Sequence, residues 1–187
     1  DSLTSIKYNI FDKKKFNMEE LLNALSDNFE GHEAIYNMVV NKTPKYGNDD
    51  DYADELMQDV FNSFYNEVTG RISPMGAQYR INMLPTTCHV YFGEVMGASA
   101  NGRLSQKPLS EGISPEKGGD TNGPTAVIKS CSKMDHLKTG GTLLNQRFAP
   151  AVVQGEDGLD NMENLVRAYF NMDGHHIQFN VFDKNVL

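Results

Sequence analysis

The sequence predicts an α/β protein in which helices flank mostly parallel strands. Helical periodicity fills the first seventy residues, and from about residue 76 short extended segments alternate with helices. Such alternation is typical of parallel sheets whose strands are joined by helical crossovers. The length of 187 residues and the hydrophobic content of 39% are also sufficient to bury a sizeable core.

Helix signals dominate the N-terminal part of the chain. Asp1 or Ser2 can cap a short helix that reaches about Phe11, and Asn17 precedes two glutamates at the start of a second helix. A third helix is predicted from about residue 30 to residue 40. The second helix carries three leucines on one predicted face: Leu21, Leu22 and Leu25.

The strongest periodicity predicts a long amphipathic helix that ends at Gly70. An acidic run at 48–51 precedes it, and free N–H groups together with the helix dipole favour carboxylates at a helix N-terminus. Successive aspartates also occur in metal sites, but capping is the favoured interpretation. The predicted apolar stripe repeats every four residues and is widened by its neighbours: Tyr52, Leu56, Val60, Phe64, Val68, Met57, Phe61 and Tyr65.

Extended segments begin after this helix. Residues 78–83 and 87–92 are predicted to be strands, separated by Pro85 because proline interrupts strand pairing. Residues 97–124 then carry many glycines and prolines with little periodicity. A long loop without Ser/Gly repetition is typical of a shaped functional loop rather than a flexible linker.

The C-terminal part returns to alternating elements. A helix is predicted over 123–134 and a strand over 142–148. A second helix is predicted over 159–170, ended by Gly174, and a last strand over 175–182. The sequence contains no internal repeat.

A single unit is expected over 1–187, mainly helical over 1–70 and α/β over 71–187. The net charge of -8 and the pI near 5.0 oppose binding to nucleic acid or to an anionic membrane surface. No apolar run approaches the roughly 20 residues of a membrane helix. Cys88 and Cys131 lack CxxC spacing, so neither a disulfide scaffold nor a zinc site is indicated. A soluble cytoplasmic protein without a metal fits these features.

Two motifs carry groups that can bind a ligand. Residues 118–124 place glycines before a helix, where N–H groups can hold an anion, but the P-loop lysine is missing and a structural turn is favoured. His175 and His176 are neighbours on a predicted strand, so their side chains point to opposite faces and cannot easily chelate one ion. One of them is expected to be a buried, hydrogen-bonded scaffold residue.

Two further pairs carry reactive groups. Cys88 and His89 diverge on a predicted strand and lack a third orienting group, so Cys88 is expected to be a pocket or core thiol. Cys131 is expected to be a core thiol on a helix. Asp135 and His136 are expected to form a surface ion pair or a contact with a helix C-terminus. These residues by themselves indicate no catalytic constellation.

Several motifs together resemble the glycyl radical enzyme family, in that family's order and spacing and over essentially the whole chain. They lie at 45–54, 96–103, 107–115, 123–127, 142–145 and 174–181. The run at 82–93 resembles the subfamily that dehydrates trans-4-hydroxy-L-proline more than it resembles pyruvate formate-lyase or the diol dehydratases.

The resemblance implies part of a ten-stranded barrel built from two five-stranded α/β halves, of which this chain supplies much of the second. In the family, a radical on the glycine of an Arg-Val-x-Gly-Tyr loop oxidises the cysteine of a Cys-x-Glu loop, and that thiyl radical takes hydrogen from the substrate. The sequence contains no Arg-Val-x-Gly-Tyr run. It also contains no Cys-x-Glu run, since Val90 stands two positions after Cys88 and Lys133 stands two positions after Cys131. We therefore expect a fragment that ends before the radical loop and is inactive alone.

Activity and partners follow from the same resemblance. The parent enzyme is expected to dehydrate an amino acid, trans-4-hydroxy-L-proline, to a pyrroline carboxylate under anaerobic conditions. Thr86 is expected in the substrate pocket, with Cys88 as a second candidate. The parent's glycyl radical would be installed by an S-adenosylmethionine-dependent activase, and no cofactor is expected on this chain. The remaining half of the barrel is a further expected partner, and a homo-oligomer is left open.

Two alternatives stay open. The parent could be another glycyl radical enzyme, such as a diol or choline lyase or a formate acetyltransferase, because the shared motifs mostly build scaffold. The chain could also be a non-catalytic folding or interaction module, which its single-domain length allows. Exposed apolar surface where another half-barrel would dock would argue against such independence.

Overall fold

The N-terminal part of the chain is helical. The protein is described by a computed structural model over residues 1–84 and 87–183. The N-terminal elements are α1 (Ser2–Ile6), a π-helical segment (Lys7–Asp12), α2 (Met18–Ser26), α3 (Glu33–Asn41) and α4 (Asp51–Val68). The predicted helices are therefore present. No helix within these described ranges is long and apolar enough to cross a membrane.

Helix α2 begins with the cap predicted from the sequence. Asn17 Oδ1 accepts a hydrogen bond from Glu20 N at 2.9 Å, and Glu20 Oε2 accepts one from Asn17 N at 2.7 Å. This capping box satisfies two N–H groups that the helix itself cannot pair. Leu21 is buried, but Leu22 is 57% exposed. The predicted leucine face is therefore wrong at Leu22, which lies about 100° around the helix from Leu21.

Helix α4 divides its predicted apolar stripe between two environments. Asp50 Oδ1 accepts a hydrogen bond from Tyr52 N at 3.0 Å, so the acidic run caps the helix as predicted. Phe61 is 4% exposed and packs in the core, whereas Val60 and Phe64 are 51% and 46% exposed. One side of the stripe therefore holds the fold together, and the other side lines an open surface.

The strands pair in parallel, which confirms the predicted α/β class. Strand β1 (Ile81–Met83) pairs with β2 (Thr139–Thr142), and β3 (Leu144–Phe148) pairs with β4 (Ile177–Val181). Only Leu143 separates β2 from β3. The nearly continuous extended stretch formed by β2 and β3 therefore pairs in parallel first with β1 and then with β4.

Helices pack against one face of these strands. Helix α6 (Pro124–Ser132) follows the long loop, and α7 (Pro150–Val153) with α8 (Gly155–Asn171) forms the crossover from β3 to β4. The main core lies between these helices, α4 and the strands: Phe61, Ile81, Ile113, Val127, Ile128, Cys131, Met134, Leu144, Phe148, Leu165 and Tyr169. A second core lies among the N-terminal helices: Phe16, Leu21, Ala24, Phe29, Val39 and Ala100.

One predicted strand is wrong. Residues 88–92, predicted to be extended, lie in helix α5 (Cys88–Val95). Periodicity alone does not separate a short apolar strand from a helix. A tertiary contact accompanies the helical conformation. A methyl group at Gly93 would lie 2.4 Å from Lys107 O, so the glycine packs directly against the backbone of the long loop.

The long loop has neither helix nor strand over 96–123, yet it is packed against its neighbours. Gly102 has a φ of +98°, and a methyl group there would lie 2.4 Å from Val40 Cγ2 of α3. Ile113 N donates to Leu143 O at 2.9 Å, between β2 and β3. The loop is therefore shaped by tertiary contacts at two points along its length.

Candidate functional site

The sheet face opposite the core carries polar side chains. Along β3, Leu144 is buried, whereas Asn145 is half-buried and Arg147 is exposed. In the paired strand, Gln178 lies in register with Asn145, and Asn180 lies in register with Arg147. Amide and guanidinium groups are suited to binding a small polar molecule. Strand alternation in the sequence was the signal that could have identified this face.

Three residues meet where β1 and β2 end. A methyl group built on Gly141 would lie 3.7 Å from Leu84 Cδ2 and 3.7 Å from His175 Cε1. The His175 ring nitrogen Nδ1 lies 3.5 Å from Thr142 N and 3.4 Å from Thr142 O, at the long end of hydrogen-bond distance. Leu84 immediately precedes residues 85–86, so this corner adjoins the predicted substrate segment. No signal in the sequence indicated that His175 would lie here.

The two predicted substrate-binding residues are placed differently. Thr86 lies outside the described residues. Cys88 is the first residue of α5 and its thiol is free and exposed. It is therefore not a core thiol, and its pocket role stays a prediction. His89 Nδ1, next to it in sequence, is buried without a hydrogen-bond partner among the described residues.

Thr87 has a strained backbone between these two positions. Its φ is +51°, a left-handed conformation that is rare for a β-branched residue. Such conformations cost of order 1–3 kcal/mol and persist only where the surrounding structure enforces them. They cluster at ligand sites, so this strain supports a functional role for the segment that links β1 to α5.

A cavity of about 590 Å³ opens between α4 and the long loop. Its apolar wall includes Leu56, Val60 and Phe64, and Met83 reaches it from β1. Its polar end is already paired internally, because Asn101 accepts from Ser99 Oγ at 2.7 Å and donates to Glu116. The cavity therefore offers mainly an apolar packing surface.

The predicted anion cradle is a structural turn, as favoured from the sequence. Asn48 Oδ1 accepts hydrogen bonds from Thr121 N at 2.8 Å and from Asn122 N at 3.0 Å. Asn48 Nδ2 donates to Gly119 O at 2.7 Å. The N–H groups that would hold an anion are thus occupied by one side chain of the chain itself.

Cys131 is a core thiol, as predicted. It is 0% exposed, and Tyr46 Oη lies 3.1 Å from its Sγ while donating to Ile113 O at 2.9 Å. Burial raises the pKa of the Cys131 thiol to about 12 and also raises the pKa of Tyr46. A thiol with such a pKa is neutral near pH 7 and is a poor nucleophile.

The aspartates near the start of α4 pair with lysine. Lys133 Nζ lies 2.8 Å from Asp51 Oδ1, 3.2 Å from Asp49 Oδ1 and 2.7 Å from Asp54 Oδ2. Asp54 is fully buried and also accepts from Ser130 Oγ at 2.9 Å. The cluster therefore ties α4 to α6 by ion pairs, in keeping with the structural interpretation of the acidic run.

The histidine predictions are partly wrong. His175 and His176 are both exposed, so neither is the expected buried scaffold residue. His136 is the buried histidine instead, with Nδ1 2.9 Å from Thr142 Oγ1 and Nε2 3.1 Å from Cys131 O. Asp135 accepts from Leu137 N at 3.1 Å and caps a 3-10 turn. That turn directs His136 inward, so the expected surface ion pair is wrong, whereas the alternative contact with a helix C-terminus is confirmed at Cys131 O, in the last turn of α6.

Comparison with known proteins identifies relatives over the whole chain. The family model described as "Pyruvate formate lyase-like" matches residues 1–93, and the model described as "Glycine radical" matches residues 109–187. Trans-4-hydroxy-L-proline dehydratase of Clostridioides difficile is 81% identical over 187 residues, which cover 100% of this chain and 24% of that protein. (2S)-3-sulfopropanediol dehydratase of Klebsiella oxytoca is 38% identical, over 97% of this chain and 23% of that protein.

A solved structure gives the same result. The crystal structure of hydroxyproline dehydratase from Clostridioides difficile, with trans-4-hydroxy-L-proline bound, matches with a TM-score of 0.96 and 80% identity. The match covers 99% of this chain and 23% of that one, so the chain spans about a quarter of the length of the relatives it matches. Sequence and structure agree, and the chain belongs to the glycyl radical enzyme family.

Proposed function

We propose that this chain is part of a glycyl radical dehydratase that acts on trans-4-hydroxy-L-proline. The observation that supports this most strongly is the 81% identity to a dehydratase of that name over all 187 residues. The matched length includes the region of β1 and α5, where the strained Thr87 marks the candidate site. The relative of known structure holds the same substrate.

The reaction is a loss of water from the substrate. Radical chemistry supplied from outside this chain would remove a hydrogen atom from the ring carbon next to C4. The 4-hydroxyl group would then leave with a proton as water, and return of the hydrogen atom to the resulting radical would give the pyrroline carboxylate. The residues of this chain would bind and orient the substrate. A hydroxyl at Thr86 can donate or accept one directional hydrogen bond to a substrate group, and Cys88 presents an exposed thiol two positions later.

The polar sheet face forms a second wall of the proposed site. Gln178 is exposed and Asn180 is half-buried, and Asn180 Nδ2 lies 3.5 Å from Asn145 Oδ1. His175 adjoins this wall beside Leu84. These groups can hold an amino acid by hydrogen bonds to its polar atoms, while Leu84 contacts its apolar ring.

The reacting groups themselves lie outside this sequence. It contains neither an Arg-Val-x-Gly-Tyr run nor a Cys-x-Glu run, so the radical glycine, the thiyl cysteine and the acid/base glutamate are proposed to lie elsewhere in the protein. Turnover would also need the remaining half of the barrel and an S-adenosylmethionine-dependent activase. A cytoplasmic location, anaerobic conditions and a homo-oligomer stay predictions.

A second activity within the same family has specific support. The sulfopropanediol dehydratase matches 97% of the chain at 38% identity. Asn48 and Tyr46, which lie in the matched motifs, make scaffold contacts that do not depend on a particular substrate. A diol substrate is therefore the alternative to hydroxyproline.

A substrate panel separates these activities. The full-length protein that contains this chain would be purified without oxygen, activated, and offered trans-4-hydroxy-L-proline, propane-1,2-diol and 3-sulfopropanediol in parallel. We expect water loss from the proline derivative, with the diols unreacted or far slower. Turnover of a diol with no reaction of hydroxyproline would replace the proposed substrate by the alternative.

A further inference from the structure

Helix α5 is held in place by the long loop along its length. Leu109 N donates to His89 O at 3.0 Å in the first turn, and Gln106 N donates to Met96 O at 3.0 Å just past the last turn. In the middle, Gly93 is packed so tightly that a methyl group would lie 2.4 Å from Lys107 O. Three successive contacts therefore align the helix with residues 106–109.

The remaining surface of α5 has little support. Tyr91, Phe92 and Val95 are 66%, 60% and 82% exposed. The helix nevertheless has to hold Thr87, whose φ of +51° is strained, at its N-terminus. Strained backbone persists only where the surrounding structure enforces it, and residues 106–109 supply the enforcing contacts to α5 among the described residues.

Arg103 fixes the shape of that supporting loop. Its side chain is buried, and its guanidinium donates to Lys107 O at 2.7 Å and to Leu104 O at 3.1 Å. It also donates to Gly97 O and, through Nε, to Ser99 Oγ at 3.1 Å. One planar cation thus binds backbone carbonyls on both sides of the turn, including that of Lys107, which touches Gly93.

We propose that Arg103 is a positioning residue for Thr87 and Cys88, which form the N-terminal end of helix α5 in the proposed substrate-binding segment. It acts through Lys107 and helix α5, which set the position of Cys88 and the strained Thr87. The proposal rests on the function proposed above, because that function makes the segment a substrate wall. Lysine cannot replace the arginine, since an ammonium group lacks the rigid fork of donors that spans several carbonyls.

Kinetics of the activated full-length enzyme test the proposal. Arg103→Lys and Gly93→Ala should each lower kcat/KM by about 100-fold, the loss expected from a shift of about 1 Å in a binding group. The glycyl radical signal in electron paramagnetic resonance should stay at the wild-type level, because the radical is installed elsewhere. Arg167→Lys is the matched control, since Arg167 is exposed and pairs only with Glu163 among the described residues.

A double-mutant cycle separates positioning from general destabilisation. If Arg103 acts through the segment, Arg103→Lys combined with Thr86→Val should lose little more activity than the worse single variant. A general loss of stability would instead give multiplicative losses. Multiplicative losses, or wild-type kinetics in Arg103→Lys, would overturn the proposal. If hydroxyproline proves not to be the substrate, the same cycle is measured with the substrate that is turned over.

Hydrogen exchange provides a readout that needs no activity. In the full-length protein, Arg103→Lys should speed exchange of the α5 amides by about tenfold, because local opening of the helix becomes easier. Amides of α8 should keep their wild-type rates. Unchanged exchange in α5 would show that Arg103 does not hold the helix, whatever the substrate of the enzyme.

Discussion

The buried carboxylate of Asp54 accepts a hydrogen bond of 2.7 Å from Lys133 Nζ, and this contact joins α4 to the end of α6. Burial raises the pKa of Asp54, and the hydrogen bonds from Lys133 and Ser130 oppose that shift. The charged form is therefore tolerated at this position because its cationic partner is present. Both helices contribute to the main core, so the pair also orients the layer beneath the sheet.

Removal of the lysine tests this relationship. Lys133→Met should lower the free energy of unfolding by about 3 kcal/mol, because it leaves a buried carboxylate without its main partner. Lys129→Met is the matched control: Lys129 pairs with the exposed Asp49 at 3.0 Å, and its loss should cost less than about 1 kcal/mol. Chemical denaturation of the chain measures both. Equal effects would mean that burial of Asp54 does not matter.

His136 should make the stability of the fold depend on pH. Burial lowers the pKa of His136 from its ordinary value of 6.5. The unfolded chain then binds a proton more readily than the folded chain, so stability present above pH 6.5 is lost as the pH falls through the lower folded pKa. His136→Gln should make the free energy of unfolding depend less on pH between neutral pH and pH 5, whereas His176→Gln should leave this dependence unchanged. A wild-type slope in His136→Gln would contradict this.

Asn48 should be essential for the turn before α6. Asn48→Ala removes the acceptor of Thr121 N and the donor to Gly119 O, and should cost about 2–3 kcal/mol of stability. Asn48→Asp keeps the acceptor and should cost less. The order of the two variants in a denaturation series checks the role of each atom. If the aspartate variant were the less stable, accepting the N–H groups would not be the main contribution.

Thr86 should affect the reaction rather than the stability. Thr86→Val in the full-length enzyme keeps the side-chain shape but removes the hydroxyl, and should lower kcat/KM by about tenfold, the equivalent of one hydrogen bond. Thr125→Val, on the exposed side of α6, serves as the control. Steady-state rates with hydroxyproline decide between a pocket residue and a threonine that simply suits an extended chain. Unchanged kinetics would support the second role.

Much of the fold follows from local sequence signals. The cap at Asn17 and the proline at the start of α6 are determined by nearby backbone groups, so both helix starts were predictable. Helix α5 was not, because its glycine packs against Lys107, a contact between segments that periodicity does not report. The same limit explains why the sequence does not predict which part of the α4 stripe is exposed, as at Val60.

The candidate site was predictable only in part. The substrate segment was predicted from resemblance and stays a prediction, since threonine and cysteine next to a strand carry no unique signal of their own. His175 and Leu84 both lie next to Gly141, and they do so only because the pairing of the strands brings these distant segments together. The contact of His136 with the C-terminal end of α6 was one of the two predicted alternatives, but its burial was not predicted, because a short 3-10 turn directs its ring into the core.

The most direct test is to measure product formation from trans-4-hydroxy-L-proline in the absence of oxygen. The full-length protein, activated by its S-adenosylmethionine-dependent partner, should yield a pyrroline carboxylate and one equivalent of water, and the 187-residue chain alone should yield none. Product from the full-length protein only is the predicted result. Product from the isolated chain, or none from the activated full-length protein, would contradict the central claim.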